Sequence, residues 1–347
     1  MTLRTTAIAN LLIIVLLQSI AFAQSAQPPS QPEVGPGSKP RGHSSVIKKR
    51  YRAGAKEYWI YEPDAPKPRS APVVVFLHGW GGTNPLYYGA WIDHLVRRGN
   101  IVIFPRYQSS VLTPRSQFIP NTLEAIKDAF AQLQKQPGHV RPELNRVAAV
   151  GHSLGGVLAA SVAAMAAEYG LPPMKAVMSV EPGMTSHPGN VPIADLKKIP
   201  SDTLLLAVAG DRDTFVSDID AKRIYYESTQ VPSDNKDFVT LVTDDHGTPG
   251  LVANHRAPTA PDESYDNGEG DATIPQTNGG PRLESTRFPV VNALDFYGLW
   301  KLFDGLCDAA FYSKNREYAL GNTPQQRFMG RWSDGVAVKE LIVTDKP

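Results

Sequence analysis

The sequence is poor in cysteine, in net charge and in long apolar runs, and each shortage excludes a class of protein. Cys307 is the single cysteine among 347 residues, so neither an intramolecular disulfide nor a cysteine-based zinc site can form. Lys and Arg number 35 against 34 Asp and Glu, a formal net charge of +1. Such a chain lacks the concentrated positive charge needed to bind nucleic acid or an anionic membrane surface. The apolar run at residues 11–17 is also far shorter than the roughly 20 residues of a membrane-spanning helix.

The amino end has the composition of an export signal. Arg4 precedes an apolar stretch over residues 7–17, and the small residues Ala21 and Ala23 occupy the positions that a signal peptidase recognises. We expect residues 1–23 to be a signal peptide cleaved after Ala23, so that the protein is secreted or periplasmic and has no stable membrane insertion afterwards. The alternative is an uncleaved membrane anchor.

Residues 24–45 differ in composition from the rest of the chain. They are rich in Pro, Gly, Ser and Gln and contain one aliphatic residue, Val34. Because such a segment has little apolar surface to offset the entropy of ordering, we predict a flexible linker. Hydrophobic residues make up 42% of the whole sequence, enough for the remaining residues, 46–347, to form one domain with a large core.

Apolar runs of strand length alternate with segments of helical periodicity in this domain. The first two segments, residues 46–52 and 56–61, are predicted to form an antiparallel pair, and helices are predicted near 123–133 and 154–165. The alternation predicts an α/β fold with a mostly parallel sheet of about eight strands covered by helices on both faces. Sites in such sheets form at the carboxyl ends of the strands. The buried strands are predicted at residues 73–77, 101–104, 147–150, 176–180, 204–209 and 238–242.

The strand ending at Val150 runs into Gly-His-Ser-Leu-Gly-Gly and then into a helix. This is a G-x-S-x-G pattern in a strand–turn–helix context, which predicts Ser153 as a nucleophile. A serine nucleophile requires backbone N–H groups that bind the developing oxyanion. We predict those of Leu154, which follows the serine, and of Trp80, which follows His78 and Gly79 at the end of an earlier strand. His78 itself is expected to brace this loop.

A serine nucleophile also requires a base and a carboxylate that orients the base. Asp213, in the loop after the strand at 204–209, is the predicted carboxylate, with Asp211 and Glu181 as alternatives. His246 is the predicted base because it directly leaves the end of the last predicted strand, and His255 is its rival.

These motifs give the chain a specific resemblance. With HGWGG at 78–82, GHSLGG at 151–156, GDRD at 210–213 and a histidine beyond them, the sequence resembles the α/β-hydrolase superfamily. It is most similar there to dienelactone-hydrolase-like, polyester-hydrolase-like and chlorophyllase-like esterases. The resemblance covers residues 46–256 and a last helix over 289–311. It departs from dienelactone hydrolases in having Ser153 rather than cysteine, and from polyester hydrolases, which commonly have disulfides.

The predicted activity is hydrolysis of a small or polymeric carboxylic ester through an acyl-enzyme, without metal or organic cofactor. An acyltransferase on the same scaffold, or a hydrolase-like binding protein without activity, are the alternatives. Aromatic residues over 85–91 either line an acyl pocket or pack a helix on the sheet. A long polar loop is predicted at about 256–287, and a carboxyl-terminal extension, with an edge strand over 336–343, after about residue 312.

Overall fold

A computed structural model describes residues 25–40, 42–185, 190–268 and 290–347. The predicted signal peptide lies outside the described residues, as does the polar loop beyond residue 268. In the part of the chain that is described, no helix is both long and apolar enough to cross a membrane.

The described residues form a single nine-stranded sheet in the order β1-β2-β4-β3-β5-β6-β7-β8-β9. The six strands from β4 to β8 in this order run parallel to one another. At the edges, β1 pairs antiparallel with β2, β2 with β4, and β9 with β8. The predicted fold class, an α/β-hydrolase fold, is confirmed, with one strand more than expected. The strands are β1 Ser45–Tyr51, β2 Tyr58–Asp64, β3 Ser70–Leu77, β4 Ile101–Pro105, β5 Arg141–His152, β6 Met174–Val180, β7 Leu204–Gly210, β8 Lys236–Leu241 and β9 Ile342–Thr344.

Helices cover both faces of the sheet because the central strands are apolar on both sides. Along β3, Val74 and Phe76 belong to one buried cluster, and Val73 and Val75 belong to the other, as the twofold alternation of a strand requires. Helices α1 and α5 pack on the first face, and α2 and α3 on the second. The helices are α1 Gly89–Arg97, α2 Phe118–Lys135, α3 Leu154–Met165, α4 Ile219–Glu227, α5 Trp300–Tyr312 and the short α6 Pro324–Arg327.

The carboxyl-terminal part supplies helix α5, which packs on one face of the sheet, and the edge strand β9. A π-helical segment, Leu294–Leu299, leads into α5, and the predicted last helix is therefore present. The edge strand expected over 336–343 is present as β9, but it is shorter and begins later. The residues before it instead form a turn around Trp332, whose side chain is buried.

The segment predicted as a flexible linker is packed against the domain over its described residues. The backbone N–H groups of Thr248 and Ser333 donate to the carbonyls of Ala26 and Gln27, at 2.9 and 3.0 Å. The N–H of Gly37 donates to Oδ2 of Asp304 at 2.7 Å. The prediction of a flexible linker therefore needs correction. It was based on the small apolar surface of the segment itself, whereas the segment is held by hydrogen bonds to residues far away in sequence.

Candidate active site

Ser153 lies at a strained turn between β5 and α3. Its backbone has φ 58° and ψ −123°, a conformation that non-glycine residues rarely adopt. The turn is tight enough that a Cβ at Gly151 would lie 2.0 Å from the carbonyl oxygen of Gly155. A Cβ at Gly155 would in turn lie 2.0 Å from the carbonyl oxygen of Leu77. The two glycines of the G-x-S-x-G pattern are therefore required by close backbone approach, and they hold the serine at the end of the sheet.

His255 joins Ser153 to Asp213. Its Nε2 lies 3.0 Å from the hydroxyl oxygen of Ser153, and its Nδ1 lies 2.8 Å from Oδ2 of Asp213. The other carboxylate oxygen of Asp213 accepts the backbone N–H groups of Phe215 and Val216, at 2.9 and 3.1 Å. The carboxylate is therefore fixed by its own loop while it holds the imidazole. Ser153, His255 and Asp213 thus form one continuous hydrogen-bonded series, which is the arrangement that a nucleophile, its base and an orienting acid require.

The structure does not bring His246, our predicted base, to the serine, and His255 takes its place. The Nε2 of His246 instead lies 2.7 Å from Oδ2 of Asp334, in an exposed pair, and its ring packs on Trp332 at a centroid distance of 5.7 Å. After β8 the chain forms a loop closed by pairing between Asp244 and Leu251. This loop carries His246 outward and returns the following residues to the end of the sheet.

Asp211, the alternative carboxylate next to the strand, has a structural contact instead. Its Oδ1 accepts the hydroxyl of Thr243 at 2.6 Å, and its backbone N–H donates to the carbonyl of Leu241 at 3.0 Å. Asp211 therefore ties the loop after β7 to the residues that follow β8. Among the two aspartates weighed from the sequence, the structure brings only Asp213 to an imidazole.

Glu181, the second alternative to Asp213, lies close to the imidazole of His255. It follows β6 with φ 43°, is fully buried, and has Oε2 3.7 Å from Nδ1 of His255. Neither of its carboxyl oxygens has a hydrogen-bond partner among the described residues. Burial, and then the nearby charge of Asp213, raise the pKa of Glu181 well above its ordinary value of 4.5. Two carboxyl groups thus approach one histidine, and Asp213 is the one that is hydrogen-bonded.

The raised pKa of Glu181 predicts a pH dependence of stability. The folded state binds a proton at Glu181 more tightly than the unfolded state, so the stabilisation is complete below pH 4.5 and is lost as pH rises toward the folded-state pKa. Glu181→Gln, which mimics the protonated form, should become progressively more stable than the wild type above pH 4.5, by up to about 1.4 kcal/mol per pH unit. Urea unfolding from pH 4 to 8 measures this, with exposed Glu263→Gln as control. A difference that does not vary with pH would contradict the raised pKa.

The loop after β3 offers one unoccupied backbone donor. The N–H of Gly79 donates to the hydroxyl of Tyr88 at 2.9 Å, and that of Gly81 donates to Oε1 of Gln108 at 3.0 Å. The N–H of Trp80, between them, has no acceptor among the described residues. The same holds for the N–H of Leu154 at the start of α3. Both N–H groups predicted for the oxyanion are therefore available in the described part of the chain.

His78 holds the start of this loop. Its Nε2 lies 2.8 Å from the carbonyl oxygen of Arg106, and its ring stacks on Tyr107 at a centroid distance of 4.1 Å. The hydroxyl of Tyr107 donates to the carbonyl of His78. The His78 side chain is fully buried and contacts Arg106 and Tyr107 rather than Ser153. This agrees with the prediction that His78 braces the loop.

Ser153 opens into a small cleft with a cavity volume of about 170 Å³. Phe215, largely exposed, lies over His255 with ring centroids 4.9 Å apart. The aromatic run at 85–91 serves both predicted purposes, because Tyr87 and Tyr88 line the cleft while Trp91 is buried in the core. The lining residues are Gly79, Trp80, Gly81, Gly82, Tyr87, Tyr88, His152, Ser153, Met184, Phe215, His255, Arg256 and Thr259.

One group of side chains in the described part of the chain has donor atoms close enough to suggest a metal. The donor atoms of His152, Glu181 and His255 lie within 4.8 Å of one another. Both ring nitrogens of His255, however, already have partners in Ser153 and Asp213. A metal bound to His255 would break its hydrogen bond to either Asp213 or Ser153, so the arrangement fits proton transfer better than metal binding.

Parts of this chain are similar to a known protein family and to a known esterase. The family model described as Chlorophyllase matches residues 42–192. Over 127 residues the chain is 33% identical to Esterase LipI of Mycobacterium tuberculosis (strain ATCC 25618 / H37Rv), which corresponds to 35% of this chain and 37% of that protein. The match thus spans little more than a third of that relative. The family match includes Trp80 and Ser153 and ends before Asp213 and His255.

Proposed function

We propose that the protein, which has an α/β-hydrolase fold and is similar over part of its length to a chlorophyllase family and to an esterase, hydrolyses carboxylic esters with Ser153 as nucleophile. His255 is the general base of this mechanism, and Asp213 orients it. The observation that carries the proposal is the unbroken series of hydrogen bonds from Ser153 through His255 to Asp213, at 3.0 and 2.8 Å.

The reaction proceeds by acyl transfer from the ester to Ser153 and then to water. Nε2 of His255 takes the hydroxyl proton as the serine oxygen attacks the ester carbonyl, and Asp213 stabilises the resulting imidazolium. The C–O bond to the leaving group then breaks, and His255 returns the proton to the departing alcohol. In the second step, His255 takes a proton from water as the water attacks the acyl-enzyme. The bond between the acyl group and Ser153 then breaks, and His255 returns the proton to the serine oxygen, which releases the acid.

The backbone N–H groups of Trp80 and Leu154 bind the negative oxygen that develops in both steps. Their lack of other acceptors among the described residues supports this role. Leu154 also begins α3, so the positive end of the helix dipole adds to the stabilisation of the oxyanion. Such donors lower the barrier because they are in place before charge develops.

The cleft supports an uncharged ester of modest size. Its walls are mostly aromatic and glycine backbone surface, with Arg256 as a charged lining residue. Its volume of about 170 Å³ holds the groups next to the scissile bond rather than a whole large substrate. Phe215 and Trp80, at its rim, are exposed. A larger or polymeric ester would therefore extend across the rim, with only its reacting segment in the cleft.

The activity test uses purified protein and p-nitrophenyl esters of increasing acyl length, with and without an added alcohol. Hydrolysis that is fastest for short acyl chains is the expected result. Transfer of the acyl group to the alcohol in preference to water would favour the acyltransferase alternative. Absence of turnover, together with absence of labelling by a fluorophosphonate probe, would refute the proposal.

We also propose that the protein is exported after removal of residues 1–23. The support is the charged start, apolar stretch and small-residue cleavage pattern of the sequence. Expression of the full chain in a bacterial host, with sequencing of the amino end of the extracytoplasmic product, tests this. A product that begins at Gln24 is expected, and an intact amino end in the cytoplasm would contradict it.

A further inference from the structure

We propose that Tyr88 is a positioning residue for ester hydrolysis, because its hydroxyl links the loop that carries Trp80 to the turn that carries Ser153. This inference rests on the proposed function. It concerns how the nucleophile and one oxyanion donor, which lie on different loops, are held at a fixed separation.

The link consists of two hydrogen bonds to the residues just before the two reacting groups. The hydroxyl oxygen of Tyr88 lies 2.9 Å from the backbone nitrogen of Gly79 and 2.9 Å from Nδ1 of His152. Gly79 directly precedes Trp80, and His152 directly precedes Ser153. One side chain therefore contacts both loops within one residue of the atoms that would meet the substrate carbonyl.

The chemistry of the three groups gives this link a direction. The N–H of Gly79 can only donate, so the hydroxyl oxygen of Tyr88 accepts there and its own proton is available for Nδ1 of His152. Burial, and then the neighbouring ring of His255, lower the pKa of His152 well below its ordinary value. A neutral imidazole with an accepting Nδ1 completes the series from Gly79 through Tyr88 to His152.

The position of Tyr88 is itself fixed by the core. Its side chain is buried, and its ring packs against Phe76 of β3 at a centroid distance of 5.2 Å. It directly precedes α1, and a Cβ added to Gly79 would lie only 3.3 Å from its hydroxyl. The hydroxyl is thus a rigid point between the two loops, and the absence of a side chain at Gly79 allows the loop to approach it.

Loss of this link should affect the transition state more than substrate binding. Removing a whole oxyanion donor costs about 100-fold to 1,000-fold in kcat, and displacing one that remains present should cost less. We expect Tyr88→Phe to lower kcat about 10-fold to 100-fold while KM changes by less than about threefold. A residue that only packs the cleft wall would change KM, or stability, without this selective loss of kcat.

The experiment compares Tyr88→Phe with Tyr225→Phe on a p-nitrophenyl ester that the wild type hydrolyses. Tyr225 donates its hydroxyl to the carbonyl of Asp345, so the control also loses one tyrosine hydrogen bond, but outside the cleft lining. Equal kinetics for the two variants would overturn the positioning role. An inactive wild type would refute the proposed function instead, so the two failures are distinguishable.

Variants at His152 test the other end of the link and do not depend on the folding of Tyr88→Phe. His152→Asn keeps a side-chain oxygen that can accept near the position of Nδ1, whereas His152→Leu keeps none. We expect Asn to retain at least about 10-fold more kcat than Leu. We also expect the loss in the double variant Tyr88→Phe, His152→Leu to be smaller than the product of the single losses. Asn and Leu variants of equal kcat would contradict the link.

Discussion

Ser153→Ala is expected to lower kcat for the proposed ester hydrolysis by about a million-fold, as the loss of the nucleophile does in serine proteases with a catalytic triad. The variant should fold as the wild type does, because the strained backbone at this turn is set by the close approach of Gly151 and Gly155 rather than by the hydroxyl. Ester turnover and covalent labelling by a fluorophosphonate probe measure the loss, and circular dichroism measures the fold.

The control for this experiment is Ser109→Ala, since Ser109 is exposed and lies outside the cleft lining. It should leave turnover and labelling unchanged. If Ser153→Ala were still labelled at the wild-type rate, or if the labelled peptide lay elsewhere in the chain, Ser153 would not be the nucleophile.

Replacement of the two candidate bases should give opposite results. His255→Ala is expected to lower kcat by about a million-fold, because the base and the nucleophile of such a triad act as one unit. His246→Ala should leave kcat within about twofold of the wild type, because its ring contacts Asp334 and Trp332 and has no hydrogen bond to Ser153 or Asp213 in the described structure. The two variants replace the same side chain at positions nine residues apart, so each is the matched control of the other.

The measurement is kcat and KM for one p-nitrophenyl ester, with thermal unfolding to verify folding. Because the pair of His246 and Asp334 is exposed, its loss should change stability little. Full activity of His255→Ala would refute the assignment of the base. Inactivity of a folded His246→Ala would show that the loop after β8 adopts a different arrangement during catalysis.

The parts of the site that could be predicted from sequence are those whose geometry is local. The turn around Ser153 is specified by its own glycines and by the strand and helix on either side. Asp213 lies a few residues beyond β7, so its position follows from the end of that strand. In both cases the residues that determine the conformation are close in sequence to the residue predicted.

That His255 rather than His246 meets Ser153 could not be predicted, because the loop that contains Asp244 is held by residues 88 and 95 positions further along the chain. The loop after β8 is held by Asp244, whose Oδ2 accepts the indole N–H of Trp332 at 3.1 Å and the backbone N–H of Lys339 at 2.9 Å. These contacts turn His246 outward and set the return of the chain toward His255. Neither the periodicity nor any motif near His246 predicts that this loop contacts the carboxyl-terminal extension.

The contact between Tyr88 and His152 could not be predicted from the sequence for a similar reason. The aromatic run and the G-x-S-x-G pattern are both visible in the sequence, but nothing in either pattern indicates that the Tyr88 hydroxyl meets the His152 imidazole. Their contact depends on how the start of α1 packs over β3 and β5. The two observations that locate it are distances of 2.9 Å, which only the folded chain supplies.

The packing of residues near both ends of the described chain onto the loop after β8 has a consequence for the order of folding. Ala26 and Gln27 pair with Thr248 and Ser333, and β9 pairs with β8 to complete the sheet. A growing polypeptide whose residues 333–344 have not yet left the ribosome therefore lacks one edge of the sheet and part of the surface that receives Ala26 and Gln27. Although domains commonly begin to fold during synthesis, the segment around Ala26 and Gln27 can take its described position only once those later residues are available.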